Sequence, residues 1–250
     1  MKLVSALAAL ALALALTGCS NGTDTAPTAP TADTKPVAAQ APPAGQSWLE
    51  AVSKTDEGYR MGNPDAPVKL VEYGSRMCPT CGAFGREAYE PLKKYVETGK
   101  VSFEFRDFLV HGAMDLPATL VGQCGGAAPF FPILEQMYQN QASYLDWVNK
   151  LSPADKQALE SGSAPPMQAI QIMSNAMGMV DFVKQRGIPE QKARACLADK
   201  ATVDALTKVT QDASNNGTVT GTPTFLINGN PVPQVVSWGQ LEPALKAAGA

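Results

Sequence analysis

The sequence predicts an α/β fold with a helical segment inserted into it, and three observations carry that prediction. Val68–Tyr73 is a β-prone run, and after Gly74–Met77 a helical period follows at Phe84, Ala88, Leu92 and Tyr95/Val96. A second β-prone run begins directly after Pro223 and ends in the hairpin signal Asn228-Gly229. Between Phe108 and Phe225 the chain reads as helix, with apolar faces at Tyr138/Leu145/Val148/Leu151, Ile170/Met173/Met177/Val180 and Val203/Leu206/Val209/Ala213.

Composition narrows the function classes. The 250 residues include 20 basic and 23 acidic side chains, a net charge of −3 that argues against nucleic acid as a partner. The single histidine, His111, rules out a multi-histidine metal site and reads as a loop or cap residue. Trp48, Trp147 and Trp238 read as packing residues. Of the methionines, 167, 173, 177 and 179 crowd the helical segment, where core filling is expected over a Met-lined binding surface. The five cysteines are Cys19, Cys78, Cys81, Cys124 and Cys196.

The first element is an export signal at 1–18. Lys2 precedes fourteen residues of Leu, Ala, Val and one Ser, the length of a signal core and short of the roughly 20 needed to span a bilayer. Leu16-Thr17-Gly18-Cys19 resembles the bacterial lipobox, which implies cleavage before Cys19 and lipid on its thiol; a plain cleaved signal is the alternative. Ser20–Gln46 holds five Thr, five Pro and seven Ala with a single Val as its only larger aliphatic residue, too little apolar area to offset ordering. Residues 19–46 therefore read as a lipid-anchored disordered tether, spanning roughly 30 Å. The expected setting is extracytoplasmic, a periplasmic, membrane-anchored lipoprotein, and such a compartment permits disulfides.

Cys78-Pro79-Thr80-Cys81 follows the first strand. Pro79 suits the first helical position, where no N–H is needed. That places Cys78 at the helix N-terminus and Cys81 one turn inside. Pro91 is expected to kink this helix and Gly99 to stop it. Free N–H groups and the helix dipole stabilise a thiolate on Cys78, which makes it nucleophile and leaving group. Cys81, turned inward, attacks only a mixed disulfide already formed on Cys78. By itself a C-x-x-C is equally half a zinc site, a structural bridge or a redox pair.

Cys78-Pro79-Thr80-Cys81 after a strand, with Thr222-Pro223 before a later strand-turn-strand, resembles the thioredoxin superfamily. The long intervening segment makes the chain similar to the DsbA-like thiol:disulfide oxidoreductases over Gly58–Ala248, with Phe103–Phe108 matching their second core strand. The resemblance implies a thioredoxin-like domain at 47–111 and 199–250, with an inserted helical domain at 112–198. It implies a cis Pro223 facing the active-site sulfur and shielding it from metals, and a Thr222 backbone that pairs with substrate as an added strand. It implies that Glu72 lies beneath the disulfide as a base for Cys81; a strand-end acid reaching solvent is the alternative. It implies a second disulfide, Cys124–Cys196, closing a loop of about 73 residues and contributing roughly 4 kcal/mol; two free thiols are the alternative. Pro79 and Thr80 tune the couple, and many oxidases in the family carry His where this chain has Thr80.

The expected function is a protein disulfide oxidase for reduced exported polypeptides. The resemblance implies a monomer reoxidised by a DsbB-like membrane partner, without metal or organic cofactor. A reductase or isomerase of the same fold stays open, because Thr before the proline is found in isomerase relatives. So does a tethered binding or chaperone module with a structural C-x-x-C.

Overall fold

A computed structural model describes residues 38–250. The signal segment, Cys19 and the tether up to residue 37 lie outside the described residues.

Six strands form one sheet: β1 (Val52–Lys54), β2 (Tyr59–Met61), β3 (Val68–Gly74), β4 (Val101–Asp107), β5 (Thr224–Ile227) and β6 (Asn230–Val232), in spatial order β1-β2-β4-β3-β5-β6. β3 and β4 are parallel and joined by α1 (Pro79–Glu97), a right-sized crossover; β5 returns antiparallel on the other side of β3. β3 is thus central, and both its faces are covered. Leu70 belongs to the core that holds Phe84, Ala88, Leu92 and Val96 of α1. Tyr73 packs on the opposite face with Ala213 of α9 (Lys200–Asn215), and Val71 lies against the same cluster. This two-sided burial explains the near-continuous Val/Leu/Tyr run that marked the strand in the sequence. The chain closes with α10 (Trp238–Ala247), whose Leu241 and Leu245 complete the α1 side of the core.

The inserted segment contains α2 (Leu116–Gln123), α3 (Phe130–Gln139), α4 (Gln141–Leu145), α5 (Pro153–Glu160), α6 (Pro166–Met177), α7 (Met179–Lys184) and α8 (Glu190–Leu197). It has its own core around Leu120, Val121, Ile170, Met173, Met177, Met179 and Val183, with Met167 packed at its edge; the methionines are core filling. Trp147 is buried there, and Trp238 packs on Tyr95 at 5.7 Å between ring centroids. Cys124, at the end of α2, is disulfide-bonded to Cys196 on α8, with Cα atoms 5.8 Å apart.

Three details differ from the sequence reading. The face Tyr138–Leu151 is not one helix: Asn140 leaves the helical region at φ −104°, ψ 13°, and its side chain bonds back to the Gln136 carbonyl, so α3 and α4 are separate. The face Ile170–Val180 breaks at Gly178, whose φ of 71° ends α6 in a left-handed cap. Ordered packing also begins before Ser47. The Gln40 N–H donates to the Thr98 carbonyl at 2.9 Å, and its own carbonyl accepts from the Trp48 indole at 2.8 Å. Composition missed this because hydrogen bonds, not apolar burial, hold Gln40.

Candidate active site

β3 ends at Gly74, and the chain turns through Ser75–Met77 into α1. Ser75 shapes that turn: its hydroxyl accepts from the N–H of Met77 and of Cys78 and donates to the buried Asp115 carboxylate at 2.6 Å. Cys78 is the N-cap of α1 and Pro79 its first residue, as the spacing predicts. Cys81 is fully buried one turn on, and Cys78 lies at the surface boundary, 7% exposed. Both are free thiols.

Thr222-Pro223 is a cis peptide, and it faces Cys78: the Cys78 thiol donates to the Thr222 carbonyl at 3.4 Å. The Thr222 hydroxyl is buried without a partner among the described residues. Hydrogen bonding from the Cys81 thiol is the largest effect lowering the Cys78 thiol, to about 5, against the opposing cost of burial. The Thr222 hydroxyl and the N–H groups of Cys81 and Thr80 lower it further. The thiol-to-carbonyl contact belongs to the neutral form, because a thiolate has no hydrogen to donate. Thr80, with its side chain exposed, acts through its backbone N–H. Cys81 is pushed well above the ordinary thiol value, first by burial, then by the bond it gives Cys78 and by the Glu72 charge.

Glu72 is completely buried on β3, across from Phe105 of β4 and Phe225 of β5, so it does not reach solvent. Burial raises its carboxyl to about 8, partly offset by a hydrogen bond from the Tyr89 hydroxyl at 3.2 Å to Oε2. Its Oε1 has no partner among the described residues.

One buried pair escaped the sequence reading. Arg76, two residues before Cys78, is fully buried and bidentate to Asp107, Nε to Oδ1 at 2.8 Å and Nη2 to Oδ2 at 3.1 Å. Gln123 also donates to Asp107 at 2.8 Å, and the guanidinium lies 5.0 Å from the Phe130 ring centre. Charges at the C-terminal ends of two adjacent parallel strands were the available signal. His111 precedes a short turn at Gly112–Asp115, and its Nδ1 lies 3.1 Å from Asp115 Oδ1, the oxygen that also accepts from Ser75. Among the described residues, no cluster of three or more His, Cys, Asp or Glu side chains could hold a metal ion.

Beside Thr222-Pro223 lies an open cavity of about 420 Å³, lined without charge by Thr220, Pro223, Val232, Pro233, Val235 and Val236 among others.

The thioredoxin family profile matches residues 54–247. A protein-disulfide isomerase from Novosphingobium aromaticivorans superposes with TM-score 0.68 at 28% identity, covering 75% of this chain and 95% of that one. Wolbachia pipientis alpha-DsbA1 superposes with TM-score 0.61 at 18% identity, covering 81% of this chain and 96% of that one. A Rickettsia bellii relative, whose assignment as a protein-disulfide oxidoreductase is provisional, is 24% identical over 68% of this chain and 56% of its own length. The chain spans about half the length of such curated relatives. With the family profile matching residues 54–247, the chain belongs to the thioredoxin family and has the DsbA-like fold.

Proposed function

We propose that the protein is a thiol oxidase that forms disulfides in reduced polypeptides outside the cytoplasmic membrane. The observation that supports this best is the separation of its two thiols, Cys78 held at about 5 and Cys81 well above the ordinary value. A thiolate favoured at Cys78 stabilises the reduced pair by roughly 3 kcal/mol at neutral pH, on the order of 60 mV toward the oxidising end.

The steps follow from the placement. A substrate thiolate attacks Cys78 of the Cys78–Cys81 disulfide; the S–S bond breaks and Cys81 leaves as thiolate. Glu72, protonated at neutral pH with a carboxyl value of about 8, gives that sulfur its proton. In the reverse direction the same carboxylate takes it back. A second substrate thiolate then attacks the substrate sulfur of the mixed disulfide, and Cys78 departs as a stable anion. Two electrons pass to the enzyme for each disulfide made. The Thr222 backbone beside Cys78 would align the substrate chain as an added strand, with the uncharged cavity at Pro223 taking a neighbouring side chain. A DsbB-like membrane partner would accept the two electrons and restore the disulfide. Lipid on Cys19 and a monomeric state belong to the same proposal. Among the described residues no helix is long and apolar enough to cross a membrane.

The reduction potential of the folded domain tests the direction. A value near about −120 mV supports the oxidase, near about −180 mV an isomerase, and near about −270 mV a reductase. The isomerase is the second reading, favoured by the name of the Novosphingobium neighbour. Cys81→Ser should trap mixed disulfides with reduced polypeptides and Cys78→Ser should form none. A Cys78 with an ordinary thiol value would leave only a binding module.

A further inference from the structure

Helix α4 belongs to the inserted segment, yet its polar side chains reach the redox turn. Gln141 is 3% exposed. Its amide nitrogen donates to the Cys78 carbonyl at 2.8 Å and to the Arg76 carbonyl at 3.1 Å, which uses both of its hydrogens. The buried Tyr144 hydroxyl lies 2.9 Å from the same Arg76 carbonyl and 3.1 Å from that of Met137. The Gln141 carboxamide also presses on α1 itself. A Cβ on Gly82 would stand 2.1 Å from Gln141 Oε1, so this side chain fills the space that any larger residue after Cys81 would need. A buried carboxamide is costly unless its donors are used, and here both are spent on the turn that carries the nucleophile.

We propose that Gln141 is a positioning residue for the thiol chemistry: it pins the carbonyls of Arg76 and Cys78 so that the first free N–H groups of α1 stay aimed at the Cys78 sulfur. The inference rests on the redox reading of Cys78. The pinned carbonyl and the sulfur belong to one residue, so a rotation of the peptide plane after Cys78 turns the Thr80 and Cys81 N–H groups away from the sulfur. Charge-assisted bonds weaken steeply with misalignment. Glu72, Arg76, Asp107 and Asp115 are the charged side chains buried in the described structure, and Gln141 bonds none of those charged groups, its contact with Arg76 being to the main-chain carbonyl.

Gln141→Met keeps the size of the side chain and removes both donors. The test follows alkylation of Cys78 against pH in the full chain, with Ile170→Val, a buried change in the core of the inserted helices, as the stability control. The Cys78 value rises by about one unit in Gln141→Met, so alkylation on the acid limb slows roughly tenfold. It stays in place in Ile170→Val even where the melting temperature falls. Gly82→Ala, which drives a methyl into the carboxamide, produces the same shift and adds nothing to Gln141→Ala. An unmoved Cys78 in folded Gln141→Met, or full additivity of Gly82→Ala with Gln141→Ala, overturns the proposal. Should Gln141→Met fail to fold, Gly82→Ala and Tyr144→Phe decide by the same readout: shifted curves support it and wild-type curves overturn it. A wild-type Cys78 with an ordinary thiol value and no disulfide exchange sinks the redox reading instead.

Discussion

Glu72 is the costliest residue of the site. Its folded value of about 8 exceeds the ordinary 4.5, so the ionised form is penalised by burial. For an acid raised in the fold, stability is lost as pH climbs from the unfolded value toward the folded one. Glu72→Gln should therefore stabilise the protein by roughly 3 kcal/mol at pH 7, with the gain vanishing below about pH 4.5, as thermal unfolding across pH would record. The same variant should slow exchange at Cys81. Cys78 runs the other way. Its value is lowered, so the reduced form gains stability as pH rises from about 5 toward 9 and loses it on acidification through 5. The gap between the melting curves of the reduced and oxidised proteins should narrow accordingly as pH falls. Thr222→Val removes the idle hydroxyl and should raise the Cys78 value, read from its alkylation profile. The two cysteines were legible from their spacing, and Pro223 opposite them only through family resemblance. Arg76 and Gln141 were not, because their partners lie 31 and 63–65 residues away, beyond any local pattern.

At the scale of elements, periodicity found faces better than it found breaks. The period in α1 and α9 stands as read, and α1 runs unbroken past Pro91. The faces at 138–151 and 170–180 were real but were cut by Asn140 and Gly178, single residues whose local geometry overrides a shared apolar stripe. Within α6, Ser174 is buried and its hydroxyl has no partner among the described residues. Ser174→Ala should cost nothing and stabilise by up to about 1 kcal/mol in denaturant titrations; a clear loss would mean the hydroxyl has found a partner in solution. α3 resists the tidy division into domain and insertion. Phe130, Phe131, Leu134 and Tyr138 join the core of the sheet, with the Tyr59 and Phe130 rings stacked at 4.0 Å. Tyr138 also blocks Gly85, where a Cβ would meet its ring at 2.5 Å, so Gly85→Ala should loosen α3 from α1.

For the molecule as a whole, the fold class and the second disulfide could be read ahead, the latter only through family resemblance. The Cys124–Cys196 bridge closes a separation of 72 residues and spans the core of the inserted helices. Replacing both by Ala should lower stability by roughly 4 kcal/mol while leaving the fold intact, as equilibrium unfolding would show. What remained illegible was where the ordered chain begins. Gln40 is fastened to Thr98 at the far tip of α1, whereas Cys78 caps its near tip, and nineteen helical residues separate the two by about 28 Å. Whatever is joined to the chain ahead of Gln40 therefore meets the fold about one full length of α1 away from the reactive sulfur.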